Sequence, residues 1–229
     1  MVSTKFEEGS SNQLSLALSA FDDLCIMLAE SLSVSEGGPA HLWYELNSQF
    51  GTNFHMLVST LPSVVRLAPS PIAAFSLVSN RVKSGGDVNF FSLCDIIKRF
   101  MRAVATTSRP VMIFWDDMQW CDAVSLGLIH AVLSDNRGGN SFIFFAGSYR
   151  DNEVDDEHIL QGFFSWLYSF HVPVNTVSLG GLSDVDVLEL VSHSLGMLPR
   201  LCDSLSQVVH RKTEGNPFFV QTFLRSLGA

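Results

Sequence analysis

At 229 residues the chain can bury a sizeable core, either as one α/β domain or as one domain with a small appendage. Hydrophobic residues make up 47% against 16% charged, and 14 Lys and Arg against 23 Asp and Glu leave a formal net charge of −9, which argues against work on nucleic acid or an anionic membrane. No apolar run approaches the roughly 20 residues of a membrane span, and MVSTKFEEGSSNQ lacks a signal peptide's apolar core, so the expectation is a soluble, cytoplasmic protein.

Residues 13–32, QLSLALSAFDDLCIMLAESL, place Leu14, Leu18, Phe21, Leu24, Cys25 and Leu28 at three- and four-residue steps, which predicts an amphipathic helix. SEGGP ends it, and Pro39 opens a second helix running through Trp43 to Phe50. The chain to Leu67 is expected to be helical with a break at Pro62, APSP to be a loop, and SGGD at 84–87 a further break. Helical spacing returns over 90–106 through Phe91, Cys94, Ile97, Met101 and Val104.

The register then changes. PVMIFW is short, continuously apolar and β-capable, as in a strand covered on both faces. Asp122 can cap the next helix through Leu126, Ile129 and Leu133, DNRGGN turns the chain, and SFIFFAGS reads as a second fully apolar strand. A polar loop, YRDNEVDDEH, leads to a helix at about 159–170, and VPVNTVSL reads as a third strand. This alternation predicts a parallel, doubly wound α/β sheet. Past GGLS the strands cease: Ser183 caps a helix with Asp184 and Asp186 in its first turn, a second helix runs to about Lys212, and a third starts near Pro217. A boundary near 181 is expected, with a small helical unit after it.

Two features carry little chemistry. Cys25, Cys94, Cys121 and Cys202 stand far apart without CxxC spacing, which predicts free thiols rather than disulfides or zinc ligands, and the seven histidines show no HExxH spacing. The 18 phenylalanines leave two readings, a Phe-rich core or a surface that expects a partner.

Ligands of open parallel sheets bind beyond the carboxyl ends of the strands. Asp116 and Asp117 sit at such an end with no basic neighbour in sequence, and two adjacent carboxylates need a cation or solvent. Either a magnesium ion held through water supplies it, or the pair is a solvated loop. The second strand ends in GSYRDNE, which brings Arg150 to the same sheet edge, to meet a terminal phosphate or to pair with Asp151 or Glu153. In TEGNPFF, Gly215 can take a left-handed stop, Asn216 can cap and Pro217 fits the first turn of the last helix.

FWDDMQWCDAVSL, AGSYRDNEV and TEGNPFFVQTFLRSL, in this order and spacing, resemble the signal-transduction ATPases with numerous domains (the STAND class), and more narrowly the Orc1-like AAA ATPase module of large multidomain regulators. KFEEGSSNQLSLALSAFDDLC is similar to the family segment after its first helix, so the resemblance spans nearly the whole chain. It implies that Asp116 is the Walker B magnesium carboxylate, Asp117 the acid that orients or activates the hydrolytic water, Arg150 the sensor at the γ-phosphate, and Pro217 a contact to the nucleotide base from a helical lid. The implied cofactors are ATP and Mg2+, and the implied partners are other domains of a multidomain signalling protein or a second copy.

One departure is large. No GxxxxGK[ST] occurs, nor any Gly-Lys dipeptide, so the loop that gives backbone N–H groups and a lysine to phosphates is missing. The family places that loop immediately before the segment with which this chain begins. Residues 1–181 are therefore expected to be a partial AAA (P-loop NTPase) core without its phosphate loop, and 182–229 a partial helical lid. Two rivals stand beside the ATPase fragment. One is a nucleotide-independent pseudo-ATPase acting as an interaction module; the other is an unrelated magnesium-dependent hydrolase, for which no nucleophile can be placed.

Overall fold

The apolar run ending at Trp115 becomes the middle strand of a three-stranded parallel sheet, in the order β1-β2-β3. The structure is a computed structural model that describes residues 1–33, 38–70, 89–135 and 142–226. SGGD and most of SEGGP and DNRGGN lie outside them. Strand β1 is Val2–Lys5, β2 is Val111–Asp116 and β3 is Ile143–Gly147. Lys5 registers against Asp116, and Trp115 against Gly147, so the carboxyl ends of the strands finish together.

Sequence patterning missed β1. VSTK is four residues with a single apolar side chain, and its pairing partner lies more than a hundred residues away. Tertiary packing forms it: Val2 is buried, Phe6 just beyond it is fully buried edge-on against Trp115, and Thr4 Oγ1 donates to Leu16 O at 3.0 Å. The third expected strand is a correction. VPVNTVSL, at 172–179, forms no strand, and Val177 and Leu179 stand 76% and 92% exposed. Its β-branched residues suit a pleated surface, but strand propensity is mostly packing against neighbouring strands, and among the described residues no strand pairs with it.

The helices of this part are α1 (Gln13–Leu32), α2 (Gly38–Phe50), α3 (Phe54–Thr60), α4 (Phe90–Val104), α5 (Ala123–Leu133) and α6 (Ile159–Ser169). Helix α1 buries Ala17, Ala20, Phe21, Leu24, Cys25 and Leu28, the stripe that its spacing predicts, displaced slightly from Leu14 and Leu18. The break at Pro62 is a 3-10 turn, Pro62–Leu67, tied to α1 where Asp22 accepts from Ser63 N and Oγ at 2.7 and 2.8 Å. Asn89 caps α4 and Asp122 caps α5, each accepting a backbone N–H three residues on. Phe91, expected on the inner face of α4, is 85% exposed instead; Leu93, Ile97, Phe100 and Met101 take that face.

The chain divides into two compact units, Met1–Val174 and Asn175–Ala229. The second holds α7 (Asp184–Leu195), α8 (Pro199–Thr213) and α9 (Pro217–Ser226) around Val187, Val191, Cys202, Val209, Val220 and Leu224. Ser183 and Asp186 form the capping box of α7, worth about 1 kcal/mol. GGLS, which sequence patterning sets at the boundary, belongs inside this unit because it clasps the α8–α9 junction. Leu182 N donates to Gly215 O at 2.8 Å, and Leu182 O accepts from His210 Nε2 at 3.0 Å. The junction itself follows local chemistry. Glu214 and Gly215 are left-handed, Asn216 Oδ1 accepts from Phe218 N and Phe219 N, and Pro217 opens α9.

The overall picture is a mostly helical α/β chain with a small parallel sheet. Among the described residues all four cysteines are free and buried, and no helix is long and apolar enough to cross a membrane.

Candidate functional site

Parallel pairing delivers Asp116 at the end of β2, Asp117 one residue on, and Arg150 three residues past β3. Three of the four residues singled out from sequence thus meet at one sheet edge. The fourth, Pro217, belongs to the second unit, at the first position of α9.

Asp117 is 7% exposed and holds a left-handed backbone at φ 56° and ψ 46°. A non-glycine residue there costs about 1–2 kcal/mol, with Asp and Asn among the more tolerant. The turn aims its carboxylate back over the sheet edge. Ser148 stitches it in place: Ser148 N donates to Trp115 O, Met118 N to Ser148 O, and Asp117 N to Ser148 Oγ, while Ser148 Oγ donates to Asp116 Oδ1.

The cation that the acidic pair requires comes from the chain itself. Lys5, at the end of β1, puts Nζ at 3.1 Å from Asp116 Oδ2 and 2.6 Å from Asp117 Oδ2. Sequence proximity hides this partner; only the β1–β2 register brings it in. Asp117 Oδ1 faces Gln119 Nε2 at 3.1 Å and Arg150 Nε at 3.6 Å. All four carboxylate oxygens are therefore engaged by protein donors. Among the described residues no group of three His, Cys, Asp or Glu is placed to hold a metal ion. As arranged, an ammonium stands between the two carboxylates, and a magnesium ion there would have to displace it.

These contacts set the charge states. The Ser148 hydroxyl, then the Lys5 ammonium, hold the Asp116 carboxyl below its ordinary range, and burial opposes them. Lys5, aided by Gln119 and Arg150, does the same for Asp117. In return the two aspartates, Asp117 first, raise Lys5 above the ordinary lysine value. Depressed carboxyls add stability above their unfolded value of about 4 that is lost as pH falls through the folded value, while raised Lys5 adds stability below its unfolded value that is lost as pH rises through the folded one. Lys5→Met should therefore flatten both limbs. The denaturant midpoint should fall less steeply between about pH 4 and 2, and the alkaline decline above about pH 10 should shrink. An acid limb as steep as that of the wild type would show that Lys5 does not hold the pair.

Arg150 is held from several sides. Its guanidinium lies 5.1 Å from the centre of the Trp120 ring, and Nη1 meets Glu153 Oε1 at 2.8 Å. Its backbone N–H donates to Gln119 Oε1 at 3.2 Å. Pairing with Glu153, one of the two surface partners open to it from sequence, thus coexists with the contact to Asp117.

Sequence reasoning missed Lys5, Ser148 and Gln119. Lys5 and Ser148 carried no local signal. Gln119 did carry one: a polar residue between Met118 and Trp120 in an apolar turn needs partners, and it is only 5% exposed. Against models of protein families, curated proteins and solved structures, the chain matches none.

Proposed function

We propose that the chain is the central part of a STAND-type, Orc1-like AAA ATPase module, an ATP-dependent signalling switch within a larger protein. The observation that carries this is the convergence of Asp116, Asp117 and Arg150 at the carboxyl ends of two adjacent parallel strands, where open α/β sheets take their ligands. The ordered motif set supports the same reading. So does the outer edge of β3, which among the described residues pairs with no strand and leaves room for a strand bearing a phosphate loop. In this reading the sheet is part of a doubly wound P-loop core. Asp117 orients the hydrolytic water and Arg150 meets the terminal phosphate, while α7 to α9 correspond to the helical lid that carries Pro217.

A second reading has its own support. With Lys5 neutralising the acidic pair and no phosphate loop in the sequence, the chain can serve as a nucleotide-independent interaction module. Calorimetry separates the two. Titrated with Mg-ATP, this chain should bind far more weakly than micromolar, because several charge-assisted hydrogen bonds of about 1.5–3 kcal/mol each are missing. The same chain preceded by its upstream coding sequence should bind in the micromolar range and hydrolyse ATP if an in-frame GxxxxGK[ST] lies there. An upstream sequence without the loop, together with no hydrolysis, would establish the module reading.

A further inference from the structure

Gln119 has both ends of its side chain committed. Its Nε2 donates to Asp117 Oδ1 at 3.1 Å, and its Oε1 accepts the Arg150 N–H at 3.2 Å. Asp117 as a carboxylate only accepts and a backbone N–H only donates, so a single orientation of the amide satisfies both. The Gln119 backbone carbonyl accepts from His158 Nε2 at 3.0 Å, and His158 Nδ1 in turn accepts the Leu160 N–H at the start of α6. One buried residue thus touches the acid, the loop bearing the guanidinium, and the cap of the following helix.

We propose that Gln119 is a relay that couples the hydrogen-bond acceptors offered by residue 117 to the position of the Arg150 loop. The coupling follows from counting acceptors. Asp117 uses Oδ2 for the Lys5 ammonium at 2.6 Å and Oδ1 for Gln119, with Arg150 Nε farther off at 3.6 Å from that same Oδ1. When only one oxygen is left to accept, the ammonium claims it, since a charged donor makes the stronger bond. The other position of residue 117 then presents a donor or nothing to Gln119. The amide turns over to offer its oxygen, and its NH2 now opposes the Arg150 N–H. That bond is lost, and the loop is released from the turn that carries the acid. Gln119 is a positioning residue here. Its value at a nucleotide rests on the reading above, but the relay itself needs no nucleotide, so either can fail alone.

The test uses the whole chain and amide-resolved NMR. In the wild type the Arg150 amide should be protected from exchange although it lies in a surface loop; an unprotected amide overturns the proposal without any variant. Asp117→Asn leaves one acceptor and keeps a residue that tolerates the left-handed turn. The amide at position 150 should then exchange about tenfold faster and shift in the spectrum. Adding Gln119→Glu should restore its protection, because a carboxylate at 119 accepts from both neighbours. Adding Arg150→Gln instead should leave the effect of Asp117→Asn in place, since the relay runs through the backbone. If Asp117→Asn leaves position 150 protected, if Gln119→Glu fails to rescue it, or if the effect vanishes with Arg150→Gln, coupling runs elsewhere. The last result would assign it to the direct Arg150–Asp117 ion pair.

Discussion

Gly215→Ala should unfold the helical unit at 175–229. Gly215 has φ +72°, and a β-carbon there would lie 2.2 Å from Leu182 O and 2.8 Å from Leu182 N. Neither atom is free to move, since Leu182 N bonds to Gly215 O and Leu182 O takes the His210 ring N–H. From the other side, a β-carbon on Gly181 would meet Glu214 O at 2.3 Å, so two backbones cross with glycine on both. The left-handed backbone costs alanine about 1–2 kcal/mol and the overpacking about 1–3 more, a sum near 2–5 kcal/mol. A unit of this size has few kilocalories to spare. The measurement is loss of amide protection across α7, α8 and α9, with the β2 and β3 amides as reference. Pro217→Ala, two residues on, should leave that protection unchanged, because a first-turn proline lacks an N–H that the helix does not use. Protection that survives Gly215→Ala would mean that the clasp at Leu182 opens without cost.

Trp115→Ala should cost the sheet about 3–5 kcal/mol. Trp115 is fully buried, edge-on to Phe6 at 5.0 Å and to Phe145 at 5.6 Å, so one ring ties β2 to β3 and to the residue just past β1, immediately before Asp116. Its indole Nε1 finds no acceptor among the described residues. Trp115→Phe therefore removes a buried donor without a partner along with some packing, and the two effects oppose each other. Phenylalanine should stay within about 1 kcal/mol of the wild type by denaturant unfolding. If alanine and phenylalanine cost the same, the indole N–H has a partner worth keeping.

The parts of the fold legible in sequence were those with local causes. Helix α1 and strands β2 and β3 announce themselves by period and by apolar run, and Asp122, Ser183 and Asn216 by cap chemistry. Strand β1 has no such cause; its register and the burial of Phe6 exist only once β2 is in place. The reverse holds for VPVNTVSL, whose local pattern is sound but which no strand among the described residues pairs with. The candidate site divides the same way. Asp116, Asp117 and Arg150 stand out because charge after an apolar strand demands compensation. What compensates it is Lys5, an ordinary-looking lysine in the N-terminal segment, and a single β-register decides which cation the aspartates receive.

The buried cysteines have a practical consequence. Cys25, Cys94 and Cys121 lie in the first unit and Cys202 in the second, each less than a tenth exposed. Burial pushes the Cys121 thiol up to about 12 and that of Cys25 higher still, so at neutral pH neither offers thiolate to a reagent while folded. An alkylating probe must wait for the surrounding structure to open. Each unit thus carries its own built-in clock: the labelling rate at Cys202 times the opening of the helical unit, and that at Cys121 times the opening of the loop that holds the acids.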